Sequence, residues 1–451
     1  MKLKRLFILS VLCCIISAQL FAQRERGQAP RLEQRFPVYV ETINLISAEA
    51  GKSRLDITYR IPLNFFIFVK DESSKPEFPF TAKAEISIEL LDSNKVSAAR
   101  ELSSRTISTN QPIDIPDPNK FLQGALSFNL VPGIYSMIFE IRDAESDKTY
   151  RDNSKIIHLK KFSADSVRAS DIILFEAGKS VNSTEYTPIN FEGDIPFGQN
   201  ISCYNELTNR ENINPIVVYH ISRIAPENRS KSVILVDSLD IGNHAEQLTL
   251  VPKSEAFSYQ FISAIENTKR SIRFGLKTDS LRQGEYFLEL TVRVGGDTIT
   301  ASKDFHVRWF NMPLSLRNIR TAIDALEYIA TKDEMRKLQT TDTKAQREAF
   351  DDFWAKKDKT QGTIFNEVQE EYYKRVDYAF MNFRTIKEEN GVKTDRGKAY
   401  IFYGPPTSVS REFSPSSSPK EIWIYKNLSK RFVFTDETST GDYKLVLKEQ
   451  L

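Results

Sequence analysis

At 451 residues the chain is long enough for two to four domains, and an apolar content of 40% supplies cores for them. With 17 Gly and 19 Pro it is neither collagen-like nor linker-dominated. A net charge of +2 provides no field for gripping nucleic-acid phosphates, so no nucleic-acid partner is expected.

The chain opens on an address. Lys2, Lys4 and Arg5 precede the apolar run Leu6–Ile16, which is followed by Ser17-Ala18-Gln19-Leu20-Phe21-Ala22. That is the pattern of a signal peptide cut after Ala22. The run is short for a bilayer, and no later stretch reaches the ~18 apolar residues of a span. Export to the periplasm or the cell surface, with no membrane span after cleavage, is the expectation. Removing residues 1–22 takes three positive charges and no negative ones, which turns +2 into −1. It also takes Cys13 and Cys14, so Cys203 is left alone and no intrachain disulfide can form. Cys203 reads as a small buried hydrophobe. Residues 23–36 read as a polar linker.

From Pro37 the hydrophobic period becomes two. Strands are expected at Val38–Ile46, Arg54–Ile61, Phe65–Val69, Ala82–Leu91, Leu126–Leu130, Tyr135–Arg142 and Lys155–Phe162. A second set follows at Asp171–Phe175, Ile189–Phe191, Asn200–Asn205, Ile216–Ile221, Ser232–Val236, Gln247–Val251, Ser271–Leu276, Tyr286–Val294 and Thr298–Arg308. The two sets echo each other. Leu130-Val131-Pro132-Gly133-Ile134-Tyr135 matches Leu281-Arg282-Gln283-Gly284-Glu285-Tyr286, and the strands carrying His158 and His306 follow at nearly the same spacing. Leu-x-x-Gly-x-Tyr before a long strand is what a tyrosine corner requires. Residues 37–163 and 165–310 are therefore expected to be two immunoglobulin- or fibronectin-like β-sandwiches.

After Pro313 the period becomes helical. Ile319, Ile323, Leu326 and Ile329 share a face, as do Phe350, Phe353 and Trp354. Phe365, Val368, Tyr372, Val376, Ala379 and Phe383 continue that spacing. Thr331 with Glu334, and Thr343 with Gln346, are capping-box candidates. These stripes are expected to pack on a sheet supplied by the following segment. That segment reads as turns at Asn390–Gly391 and Asp395–Gly397, a strand at Lys398–Tyr403 stopped by Gly404-Pro405-Pro406, and a Ser/Pro loop at Ser414–Lys420. Short strands are expected at Glu421–Tyr425, Phe432–Thr435 and Asp442–Leu447. Helices followed by a small meander make residues 311–451 an α+β domain.

Gly391-Val392-Lys393-Thr394-Asp395-Arg396-Gly397, then Tyr403-Gly404-Pro405-Pro406, then Glu421-Ile422-Trp423-Ile424-Tyr425 with Phe432-Val433-Phe434, resembles the GWxTD domain. The resemblance covers roughly residues 315–447. It implies an exported, multidomain bacterial protein and assigns no catalytic residue. The motif's Trp is Val392 in this chain.

The chain carries few signatures of chemistry. His158, His220, His244 and His306 have no zinc spacing, no Gly-x-Ser-x-Gly elbow is present, and the Gly178-Lys179-Ser180 run lacks the first glycine of a phosphate loop. No catalytic residue, metal or cofactor is expected. The sharpest polar cluster is Thr394, Asp395 and Arg396, with Tyr403 and Trp423 nearby. Two readings of it stay open: a general base and an anion clamp beside an aromatic groove, or a cap and a local pairing that fix a turn. The leading expectation is an exported, non-catalytic interaction or scaffold protein of the cell envelope. The alternatives are a glycan- or peptidoglycan-binding protein using Trp423, and a hydrolase or transferase using Asp395 and Arg396.

Overall fold

The computed structural model describes residues 38–450 except 72–76, 111–119, 164–165, 178–184, 190–191, 209–215, 241–245, 254–255, 264–268, 295, 361–363 and 415–416. The address, the linker, His244 and the Gly178–Ser180 run lie outside the described residues.

The fold is mostly β, in several antiparallel sheets, and closes with helices on a small antiparallel sheet. In the first sandwich one layer has three strands, Tyr39–Ile46, Ser53–Pro62 and Phe121–Leu130, in that order. Its partner layer is built on Phe80–Leu91, flanked by Ser97–Thr109 and Gly133–Asp143, with Thr149–Asp152 and Ile156–Leu159 sharing the far edge. Leu55, Ile57, Tyr59 and Ile61 face Ile86, Ile88, Phe139 and Ile141 across the core. In the second sandwich Ile201–Thr208 pairs with Lys269–Leu276 on one side and Ile173–Glu176 on the other. The opposing layer runs Asp297–Arg308, Gly284–Val294, Ile216–Ile224, Lys231–Asp240.

Both expected tyrosine corners form. The Tyr135 hydroxyl donates to the Val131 carbonyl and the Tyr286 hydroxyl to the Arg282 carbonyl, each at 2.7 Å. Cys203 is fully buried in the second core, where burial pushes its thiol up.

The sequence did not announce a further core, shared between the two sandwiches. Ile43, Leu45 and Ala125 of the first sandwich pack with Ile173, Phe175, Tyr204, Leu248, Phe257 and Tyr259 of the second. The Glu246–Pro252 and Phe257–Ser263 hairpin supplies the last three. This seam explains why Ser53–Pro62 is buried on both faces. Leu55 and its period-two mates face the first core, while Arg54 and Asp56 face the seam. Arg54 Nε and Nη2 donate to the two Asp56 carboxylate oxygens at 2.8 and 2.6 Å. Arg54 Nη1 reaches the Leu248 carbonyl, and the Tyr259 hydroxyl donates to Asp56 at 3.0 Å. Nearby, Glu206 accepts from the Ile46 amide at 2.8 Å and the Tyr204 hydroxyl at 3.1 Å, and Lys303 pairs with Glu41. Arg54 with Asp56 and Lys303 with Glu41 are tolerated this deep because they are paired, and Glu206 because its carboxyl is hydrogen-bonded.

The last third has one core. Phe350, Phe353, Trp354, Tyr373, Val376 and Ala379 of the helices Thr343–Ala355 and Glu367–Asn382 meet Trp423, Tyr425, Phe432 and Phe434 of the sheet. That sheet is a four-stranded meander, Ser408–Ser414, Ser417–Tyr425, Lys430–Thr435 and Lys444–Gln450. The Thr331–Glu334 capping box forms as expected.

Several expectations are corrected. Lys398–Tyr403 is not a strand but the body of the helix Asp395–Tyr403. Its Tyr-Ile-Phe-Tyr run is strand-prone, but the cap at Thr394 and packing of Ala399 and Ile401 in the helical core override that preference. Asp342, rather than Thr343, caps the Thr343–Ala355 helix. The strand expected at Phe65–Val69 is reduced to Val69–Lys70, because the 3-10 turn Leu63–Phe65 drops Phe65 and Phe66 into the core. The Ser/Pro loop at Ser414–Lys420 is replaced by the facing ends of two strands. Ser97–Thr109 was missed because it is a polar strand at a sheet edge.

Candidate functional site

The motif region is built from close backbone contacts upward. Asn390 accepts from the Val392 amide at 3.1 Å and starts the 3-10 turn Gly391–Lys393. That turn presses against the end of the Glu367–Asn382 helix. A Cβ on Gly391 would stand 2.1 Å from the Ala379 carbonyl oxygen, and one on Gly397 would stand 2.0 Å from the Gly391 oxygen. No side chain fits at either position, so both glycines are fixed by approach rather than by dihedral angle. Thr394 then caps the next helix. Its hydroxyl accepts from the Gly397 amide at 3.0 Å and donates to the Gly391 carbonyl at 2.8 Å.

Asp395 and Arg396 reach away from the turn to the sheet. Asp395 Oδ2 accepts from the Leu445 amide at 3.0 Å, on the last strand. Arg396 lies over the Tyr443 ring at 4.3 Å and donates to the Gly441 carbonyl at 3.1 Å and to Glu421 at 3.4 Å. Glu421, 3% exposed, also accepts from Trp423 Nε1 at 2.8 Å and from Arg411 at 3.0 Å. The Gly441 carbonyl is held in place by Asp436, whose carboxylate accepts from the Thr440 and Gly441 amides. The Tyr425 hydroxyl donates to the Gly404 carbonyl and closes the far end of the helix. With Thr394 capping the helix, Asp395 and Arg396 thus form a clasp that fastens it to two strands of the meander and to the loop before the last strand.

Tyr403 sits outside that clasp. Its hydroxyl accepts from Lys448 at 2.9 Å and its ring lies 5.1 Å from Phe432. Trp423 is 2% exposed and packs on Phe383 and Phe434. The aromatic groove that one of the two readings placed between Tyr403 and Trp423 does not form, and Trp423 offers no ring face to a sugar.

A different concavity lies beside the motif, with a volume of about 820 Å³. Ala325, Val376 and Val392 form its floor. Val392, one of the residues lining it, stands where the motif has Trp. Leu314, Phe380 and Met381 form the rim and are 52%, 45% and 51% exposed. Asp324 and Glu327 lie at one wall and Lys393 on the motif turn. Sequence reasoning passed over these residues. The available signal was Phe380-Met381, which widens the apolar arc of its helix beyond the Val376, Ala379, Phe383 stripe.

Among the histidines, His306 Nδ1 lies 2.7 Å from Asp194, which Arg308 also contacts; burial pushes the Asp194 carboxyl up. His158 is exposed on its strand. Among the described residues, no three His, Cys, Asp or Glu side chains gather as a metal site, and no helix is long and apolar enough to cross a membrane.

Residues 299–451 match the family model of the GWxTD domain, beginning inside the Asp297–Arg308 strand. No curated protein matches the chain. Similar solved structures include the C-terminal domain of wzt, at 13% identity over 32% of this chain and 73% of that one, with a TM-score of 0.19. Another is a β-glucuronidase of Parabacteroides merdae, at 11% identity over 56% of this chain and 27% of that one, with a TM-score of 0.20. At such scores neither likeness carries an argument.

Proposed function

We propose that this chain, with its C-terminal GWxTD domain, is an exported, non-catalytic interaction protein of a bacterial cell envelope. Export rests on the Lys2–Ala22 pattern. The observation that carries the rest is the clasp. The polar side chains that could do chemistry, Asp395 and Arg396, each spend a hydrogen bond on a backbone group of the meander. They act on the shape of the domain, and function then resides in its surfaces.

Two measurements test this reading. Fractionation and N-terminal sequencing of the natural product should give an envelope protein that begins at Gln23; a cytoplasmic protein that retains Met1 would reject export. In cells, Asp395→Asn should impair function only in proportion to the loss of folded protein. A fully folded, fully inactive Asp395→Asn protein would instead favour the hydrolase or transferase alternative.

A further inference from the structure

We infer that the groove over Val392 is a docking site for an amphipathic helix of a partner protein, one with a basic flank. The inference rests on the interaction reading above and names the partner's chemistry. The groove carries apolar surface that the fold itself does not use. Val376 and Ala379 of the Glu367–Asn382 helix are in the core, whereas Phe380 and Met381 stand about half exposed at the rim with Leu314. Met335 and Met381 both line the space, and unbranched thioethers adapt to the side chains of an incoming helix. About 820 Å³ accommodates the two or three apolar anchors that a helix presents at i, i+3 or i+4, and i+7.

Charge sets which helix fits. Asp324 and Glu327 stand at the wall supplied by Ile319–Tyr328, and neither makes an ion pair among the described residues. Lys393, on the Gly391–Lys393 turn, is likewise without an ion pair there. Asp377 is already engaged, because its carboxylate accepts from the Leu314 and Ser315 amides. The groove therefore offers two open carboxylates along one wall and one ammonium at the motif. A helix with Lys or Arg flanking its apolar stripe on one side and Glu on the other matches that pattern and is oriented by it.

The test uses the purified full chain and a fluorescein-labelled 15-residue peptide. The peptide has Leu at helical spacing, Lys on one flank and Glu on the other; a control peptide has Glu on both flanks. Fluorescence anisotropy should show binding of the Lys-flanked peptide and about tenfold weaker binding of the control. Val392→Trp, which fills the floor, should weaken binding about tenfold or more. Leu314→Glu, at a rim position whose side chain is half exposed, should do the same and carries the test if Val392→Trp fails to fold. Asp324→Lys with Glu327→Lys should invert the preference between the peptides. Absence of peptide binding, or binding unchanged by both Leu314→Glu and Val392→Trp, would overturn the inference. So would a groove that takes a small apolar dye, lost in Val392→Trp, that the peptide never displaces. None of those failures touches the proposed function, whose tests are localisation and the behaviour of Asp395→Asn in cells.

Discussion

Glu421 receives an indole N–H and two guanidinium groups while almost wholly buried, so its removal leaves the buried Arg396 without its counter-ion and Trp423 Nε1 without its partner. We predict that Glu421→Ala costs roughly 3 kcal/mol, read by denaturant unfolding. Thr394→Ala removes a cap and should cost about 1 kcal/mol. A Thr394 substitution that abolished function without that modest loss would contradict the clasp. Glu206 gives a pH signature. Burial pushes its carboxyl above the ordinary value of 4.5, against the pull of Arg54 and the Ile46 amide. Such a group binds its proton more tightly in the folded chain, so its favourable contribution is complete below about pH 4.5 and is lost as pH rises through the folded value. Glu206→Gln should therefore gain in Tm relative to the natural chain as pH rises above that point, and a difference flat from pH 4 to 8 would refute the assignment.

At the scale of elements, the two tyrosine corners are equivalent and far apart. Tyr135→Phe and Tyr286→Phe should each cost about 1 kcal/mol, and the double variant should show the sum. Much of this level was readable. Period-two runs such as Ala82–Leu91 and the repeated Leu-x-x-Gly-x-Tyr carry their own local signal, and so does the Val376, Ala379, Phe383 stripe. The Thr394-Asp395-Arg396 cluster was also findable, although its use as a clasp depends on Leu445, Glu421 and Gly441, each at least 25 residues away in sequence. Lys398–Tyr403 misled because its side chains favour strands, while its cap and the sheet above it require a helix. The groove was hidden because it forms between the Leu314–Tyr328 stretch, the Glu367–Asn382 helix and the motif turn, and no one of these shows a concavity alone.

For the whole molecule the seam is decisive. Partners such as Asp56 and Tyr259 stand 203 residues apart, so no local pattern could announce it. Because both sandwiches contribute to one core, calorimetry should show them unfolding in a single transition. Arg54→Ala leaves Asp56 buried beside Tyr259 without its counter-ion; it should cost roughly 3–5 kcal/mol and split that transition in two. Two separate transitions in the natural chain would refute the shared core. A second junction follows at the other end. Phe197, Trp309 and Phe365 pack with centroids 5.5–5.7 Å apart, and Gly198 lies so close that a Cβ there would meet Phe365 at 2.3 Å. The second sandwich thus shares packed side chains with the first sandwich on one hand and with the last domain on the other. If both joints hold, a pull or twist applied to the last domain would be delivered to the first rather than absorbed between them.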